Sequence, residues 1–133
     1  MKLPASHGRV LVVDDSAVNR RLTADVLTER GFDVVVAESG PAALTLIHSA
    51  RPDMVLMDVQ MPGMSGLDAI GLVRAENDLA IARTVIIAMT ALAMPGDRER
   101  CLAAGADDYI SRPVSIGTLV SRVGEAVRFS RSR

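Results

Sequence analysis

An α/β fold, a parallel sheet covered by helices on both faces, is what this sequence predicts, and three observations predict it. Short apolar runs alternate with longer amphipathic stretches, five times over. The runs are continuous rather than alternating in polarity, which marks strands buried on both faces. Four of the runs also deliver the polar side chains Asp14, Asp58, Thr90 and Arg112 to the sheet edge where such folds present chemistry.

The first strand is Arg9–Val13, rich in β-branched residues and followed by the acid pair Asp14-Asp15. Ser16 caps a helix whose apolar residues Val18, Leu22 and Val26 recur every four positions, and Gly31 ends it. The second strand spans Phe32–Ala37, and Ser39-Gly40-Pro41 opens a second helix that carries Leu44 and Ile47 inward until Arg51-Pro52. The third strand runs Asp53–Met57 and delivers Asp58, after which Pro62-Gly63 break the chain. A third helix follows from about Ser65 toward Ala75, with Glu76-Asn77-Asp78 as a polar break. The fourth strand, Thr84–Met89, ends in Thr90 and the small Ala91. A charged helix over Asp97–Ala104 stops at Gly105, and the brief fifth strand, Asp108–Ser111, leads to Arg112-Pro113. Ser115 caps the last helix, whose Ile116, Leu119, Val120, Val123 and Val127 form one stripe. The organisation read from this is an N-terminal extension over 1–8, one domain over 9–129 and a solvated tail over 130–133.

Composition narrows the functions. A chain of 133 residues forms one domain with a sizeable core, so output must come from its own surface. Fifteen Lys and Arg against sixteen Asp and Glu lack the basic excess of a nucleic-acid footprint. The single Cys101 excludes an intrachain disulfide, and two distant His residues leave no zinc-ligand spacing. No segment approaches the roughly 18 apolar residues of a membrane span, and the polar start is no signal peptide. A cytoplasmic location is the expectation.

Right-handed crossovers bring every strand end to one edge. If the strand order is 2-1-3-4-5, strands one and three are neighbours and Asp14, Asp15 and Asp58 converge. Three acids without a cation repel one another, and a hard divalent ion with oxygen ligands resolves this. Mg²⁺ suits best, because it accepts one or two carboxylates, keeps its waters and bridges to phosphate. Asp58 can then act as a nucleophile toward a phosphoryl group, with Thr90 donating a hydrogen bond and Arg112 supplying a cation. Singly, each residue also serves as a cap, a loop partner or a surface charge. Their arrival together at adjacent strand ends favours the chemical reading.

Val-Val-Asp-Asp15, Leu-Met-Asp-Val-Gln-Met-Pro-Gly-Met-Ser-Gly66, Met-Thr-Ala91 and Gly-Ala-Asp-Asp-Tyr-Ile-Ser-Arg-Pro113 resemble, in order and spacing, the receiver domain of two-component response regulators. The resemblance covers about residues 8–129. It implies a flavodoxin-like, doubly wound (βα)5 sandwich with a sheet in the order 2-1-3-4-5. It implies Asp58 as phosphoacceptor, Asp14 and Asp15 around Mg²⁺, and the backbone carbonyl of Gln60 as a further metal ligand. Thr90 matches the hydroxyl that turns toward the phosphoryl group, and Tyr109 the aromatic that turns inward with it. A sensor histidine kinase or histidine phosphotransfer protein would be the phosphodonor. A downstream protein would bind the face of the fourth helix, fifth strand and fifth helix. Such a domain is no enzyme beyond self-catalysed phosphoryl transfer and slow autodephosphorylation.

One departure is Arg112, where the family has Lys; a planar fork replaces a point charge and puts coupling to the helix surface in question. Another is Gln60, near the path of attacking water. A receiver module of a hybrid histidine kinase and a phosphorylation-independent interaction module are the alternatives. A phosphatase of the Asp-x-Asp type is disfavoured because Gln60 holds the place of the second acid.

Overall fold

The computed structural model describes residues 7–91 and 94–132. Five strands form one parallel sheet in the order β2-β1-β3-β4-β5: β1 (Arg9–Val13), β2 (Asp33–Ala37), β3 (Met54–Asp58), β4 (Val85–Thr90) and β5 (Asp108–Ser111). This is the order anticipated above. The central strands β3 and β4 are buried at every position, as their unbroken apolar runs require.

Two apolar layers follow from the alternation of side chains along each strand. On one face Leu11, Val55, Met57, Ile86 and Ala88 meet α2 (Gly40–Ala50) and α3 (Gly66–Arg74), with α4 (Leu79–Ala82) and α5 (Asp97–Ala104) completing the cover. On the other, Val10, Met54, Leu56 and Ile87 meet α1 (Ala17–Glu29) and α6 (Ile116–Ser132). The helices begin where the sequence supplies oxygen acceptors. Ser16 Oγ accepts from Asn19 N–H at 3.2 Å, and Ser39 Oγ from Ala42 N–H at 3.2 Å. Ser65 and Asp68 form a reciprocal capping box at the start of α3.

Three details differ from the sequence prediction. A sixth helix, α4, follows the polar break, because Asp78 caps it through a hydrogen bond from Ala80 N–H at 3.0 Å. The last helix continues to Ser132 rather than ending at a tail from Ser130, with Ser132 Oγ donating to the Phe129 carbonyl at 2.9 Å. In α1 the stripe of Val18, Leu22 and Val26 faces largely outward: Val18 is 67% exposed, Leu22 59%, and Val26 is half-buried. The face that packs holds Leu27, wholly buried, and half-buried Arg20, whose Nη1 donates to the Asp14 carbonyl at 2.8 Å. Most of the predicted N-terminal extension lies outside the described residues. No helix among the described residues is long and apolar enough to cross a membrane.

Candidate functional site

Asp58 ends β3 at the point where β1 and β3 lie side by side and the chain crosses to opposite faces of the sheet. Val13 pairs with Met57 across these strands, so the residues after each pair emerge together: Asp14 and Asp15 from one, Asp58 from the other. One carboxylate oxygen from each of the three lies within 4.8 Å of the others. Asp14 and Asp58 are buried, at 5% exposure each, whereas Asp15 faces solvent.

The loop after Asp58 is held tightly. Val59 N–H donates to the Met89 carbonyl at 2.9 Å, and Gly66 N–H to the Val59 carbonyl at 3.0 Å. A Cβ on Gly66 would stand 2.1 Å from the Asp58 carbonyl oxygen, so only glycine lets α3 start this close to the strand end.

Hydrogen bonds occupy much of the acidic cluster. Asp14 Oδ1 accepts from Ser16 N–H at 2.9 Å, and Asp58 Oδ1 from Gln60 N–H at 3.2 Å. Arg112 reaches in from beyond β5 and bridges the two buried acids, Nη1 to Asp14 Oδ2 at 2.8 Å and Nη2 to Asp58 Oδ1 at 3.3 Å. Its Nε–H is buried without a partner among the described residues, and its peptide bond to Pro113 is cis. Burial first and the Asp14 charge second push the Asp58 carboxyl up to about 7, a rise that the Gln60 N–H and Arg112 oppose.

Thr90, 2% exposed, ends β4 beside Ser111, and its carbonyl accepts from Arg112 N–H at 2.7 Å. Tyr109 pairs with Ala88 two residues earlier along β4 and is half-buried against the layer that includes Ala104 and Cys101. By strand alternation Thr90 projects to that same face. The structure thus brings Asp14, Asp15, Asp58 and Arg112 into one cluster and sets Thr90 and Tyr109 on neighbouring strands beside it. Its oxygen donor set suits a hard divalent cation: three carboxylates, two of them sheltered and one open to water.

Sequence reasoning missed two features here. Arg20 secures the backbone at Asp14, and an apolar groove of about 590 Å³ opens beside the acids between α1 and the start of α6. Leu22, Val26, Arg112, Pro113 and Ile116 are among its walls. The signal was available in the Val18-Leu22-Val26 spacing, but periodicity does not say whether an apolar stripe faces the core or solvent.

An acidic cluster stands at the crossover of a 2-1-3-4-5 parallel sheet, and Arg112 spans two of its acids. The chain belongs to the response regulator receiver domain family, whose model matches residues 10–124. It is 36% identical over 121 residues to the polar-differentiation response regulator DivK of Brucella anthropi, covering 88% of this chain and 97% of that protein. It is 40% identical over 112 residues to hybrid signal transduction histidine kinase I of Dictyostelium discoideum, covering 80% of this chain but 6% of that much longer one. Among solved structures, the Francisella response regulator 1452 receiver domain superposes with a TM-score of 0.84 at 30% identity, covering 95% of this chain and 99% of that one. Chemotaxis protein CheY4 of Vibrio cholerae gives 0.81 at 30% identity, covering 89% and 97%.

Proposed function

We propose that this receiver accepts a phosphoryl group on Asp58, with Mg²⁺ held by Asp14, Asp15, Asp58 and the backbone carbonyl of Gln60, and thereby changes its protein contacts. The observation that carries this reading is the convergence of three carboxylates within 4.8 Å at the end of β3. When bound there, Mg²⁺ would offset the carboxylate charges and screen the approach of an anionic phosphoryl group. An Asp58 carboxylate oxygen attacks phosphorus while the bond from phosphorus to the donor breaks. With phosphohistidine, the electron pair of the P–N bond leaves on the imidazole, which takes a proton from solvent. The Thr90 hydroxyl and the Arg112 guanidinium hold phosphoryl oxygens by charge-assisted hydrogen bonds. Slow hydrolysis of the aspartyl phosphate, with Gln60 beside the path of water, returns the chain to its starting state.

The phosphodonor is a sensor histidine kinase or a histidine phosphotransfer protein in the cytoplasm, and it docks on the apolar stripe of α1. Val18 and Leu22 are exposed there, and Leu22 with Ile116, 52% exposed, lines a groove that reaches Arg112. Output runs through Thr90 and Tyr109 to the face of α5, β5 and α6, the fourth and fifth long helices with the fifth strand. A negative phosphoryl group draws the Thr90 hydroxyl, and Tyr109 turns into the space released.

Incubating the chain with acetyl phosphate and Mg²⁺ and weighing it by mass spectrometry tests the reading. One added phosphoryl group is expected in wild type and none in Asp58→Ala; equal gain in both, or no gain in either, rejects Asp58 as acceptor. Two other readings follow from particular observations. The match to a hybrid kinase favours the same chemistry as one step of a longer phosphorelay. Arg112 in place of Lys favours a module whose partner contacts ignore phosphorylation, and equal partner binding by wild type and Asp58→Ala under phosphorylating conditions would establish it.

A further inference from the structure

We infer that Arg112 is a built-in competitor for the divalent cation: its guanidinium and the metal claim the same two buried carboxylates, so this receiver binds Mg²⁺ more weakly than its acidic cluster alone would. The inference rests on the metal site proposed above and goes beyond it to what this chain's own arginine does there.

Asp14 has both carboxylate oxygens engaged, Oδ1 by Ser16 N–H and Oδ2 by Arg112 Nη1. Asp58 Oδ1 is engaged twice, by Gln60 N–H and by Arg112 Nη2. A cation coordinated by these acids therefore meets oxygens already satisfied by a positive charge, and that charge repels it at short range. The planar fork is what makes the competition effective. Two nitrogens of one rigid fork each take a carboxylate, whereas Lys would set a single nitrogen on a flexible stem between them.

Among the described residues the fork has no further hydrogen-bond partner. Its Nε–H is buried without an acceptor among the described residues, so the two carboxylates retain the guanidinium of a side chain that is 21% exposed. When a cation takes those oxygens, the arginine has no third bond to keep it in place. The groove toward α1, which it already lines, is where it can go. Metal loading and release of the arginine from the two carboxylates thereby become one event, which frees the guanidinium to meet an incoming phosphoryl group.

The test is a calorimetric titration of the full, chelator-treated chain with MgCl₂, for wild type, Arg112→Lys, Arg112→Ala and Asp15→Asn. Thermal melts with and without Mg²⁺ run alongside. Mg²⁺ binding is expected to tighten by about tenfold or more in Arg112→Ala, with Arg112→Lys between it and wild type. The Mg²⁺-induced rise in Tm should be larger in Arg112→Ala than in wild type, although its metal-free Tm is lower. Loss of the binding heat in Asp15→Asn assigns that heat to this cluster. Unchanged or weaker binding by Arg112→Ala overturns the competition while leaving the metal site standing. Absence of binding by every variant, with no Tm response, overturns both.

Discussion

Asp58 carries the largest consequence of any single residue. Its carboxyl titrates near 7 in the fold against an ordinary 3.8, because burial and the Asp14 charge disfavour the ionised form. Between those values the folded chain binds a proton that the unfolded chain has lost. Stability therefore falls as pH rises through that window, and the cost is complete above about 7. Asp58→Asn removes the cost while keeping a hydrogen-bond acceptor for Gln60 and Arg112. Without Mg²⁺ it should unfold at higher denaturant than wild type at pH 8, by on the order of a few kcal/mol, and the two should converge near pH 4. Urea titrations across that range check the sign; a gap that widens toward low pH would contradict it. The three acids were legible as residues because each directly follows, or ends, an apolar run. The need for Gly66 was not, since it arises from contact with the Asp58 carbonyl.

Among the elements, α1 separates local pattern from tertiary use. Its period-four stripe was readable, but its direction was not, because Leu27 is the side chain of α1 that is wholly buried. The stripe is free to serve a partner. Val18→Gln and Leu22→Gln should change stability by no more than about 0.5 kcal/mol. They should slow phosphotransfer from a phosphorylated histidine domain by roughly tenfold, the loss of about 1.4 kcal/mol of contact. Phosphorylation by acetyl phosphate, which needs no docking, should proceed at the wild-type rate; parallel slowing with both donors would place the defect in the site itself. The short helix α4 escaped prediction for a related reason. A single turn has too few residues to show a period, and only the Asp78 cap marks it.

At the scale of the molecule, chemistry and stability occupy opposite edges of the sheet. The acids and Arg112 gather at the carboxyl edge, while Arg74 staples the amino edge. Its Nη1 donates to the Ala82 and Thr84 carbonyls at 2.8 and 2.7 Å, its Nε to the Gly105 carbonyl at 2.8 Å, and its Nη2 to Asp107 at 3.0 Å. One side chain thereby ties α3 to the entries of β4 and β5. Arg74→Ala takes this donor from all three carbonyls and removes the cation from Asp107, whose Oδ2 keeps the Ile86 N–H at 2.8 Å. It should cost about 2–4 kcal/mol in chemical unfolding. The folded fraction should still take up phosphate with wild-type stoichiometry, since nothing at the carboxyl edge has changed.

By itself the sequence determined the parallel sheet, the succession of its elements and the polar residues at its strand ends. Burial on both faces, caps and strand termini are local properties that an apolar run and its flanks encode. Tertiary structure decided which way α1 faces, that Arg112 spans Asp14 and Asp58, and that Arg74 rather than a surface position holds the far edge together. Each of these joins residues distant in the chain, 98 positions apart for Arg112 and Asp14. Such pairings have no period, cap or turn to announce them. They come into being only when the crossovers bring five strand ends to one edge.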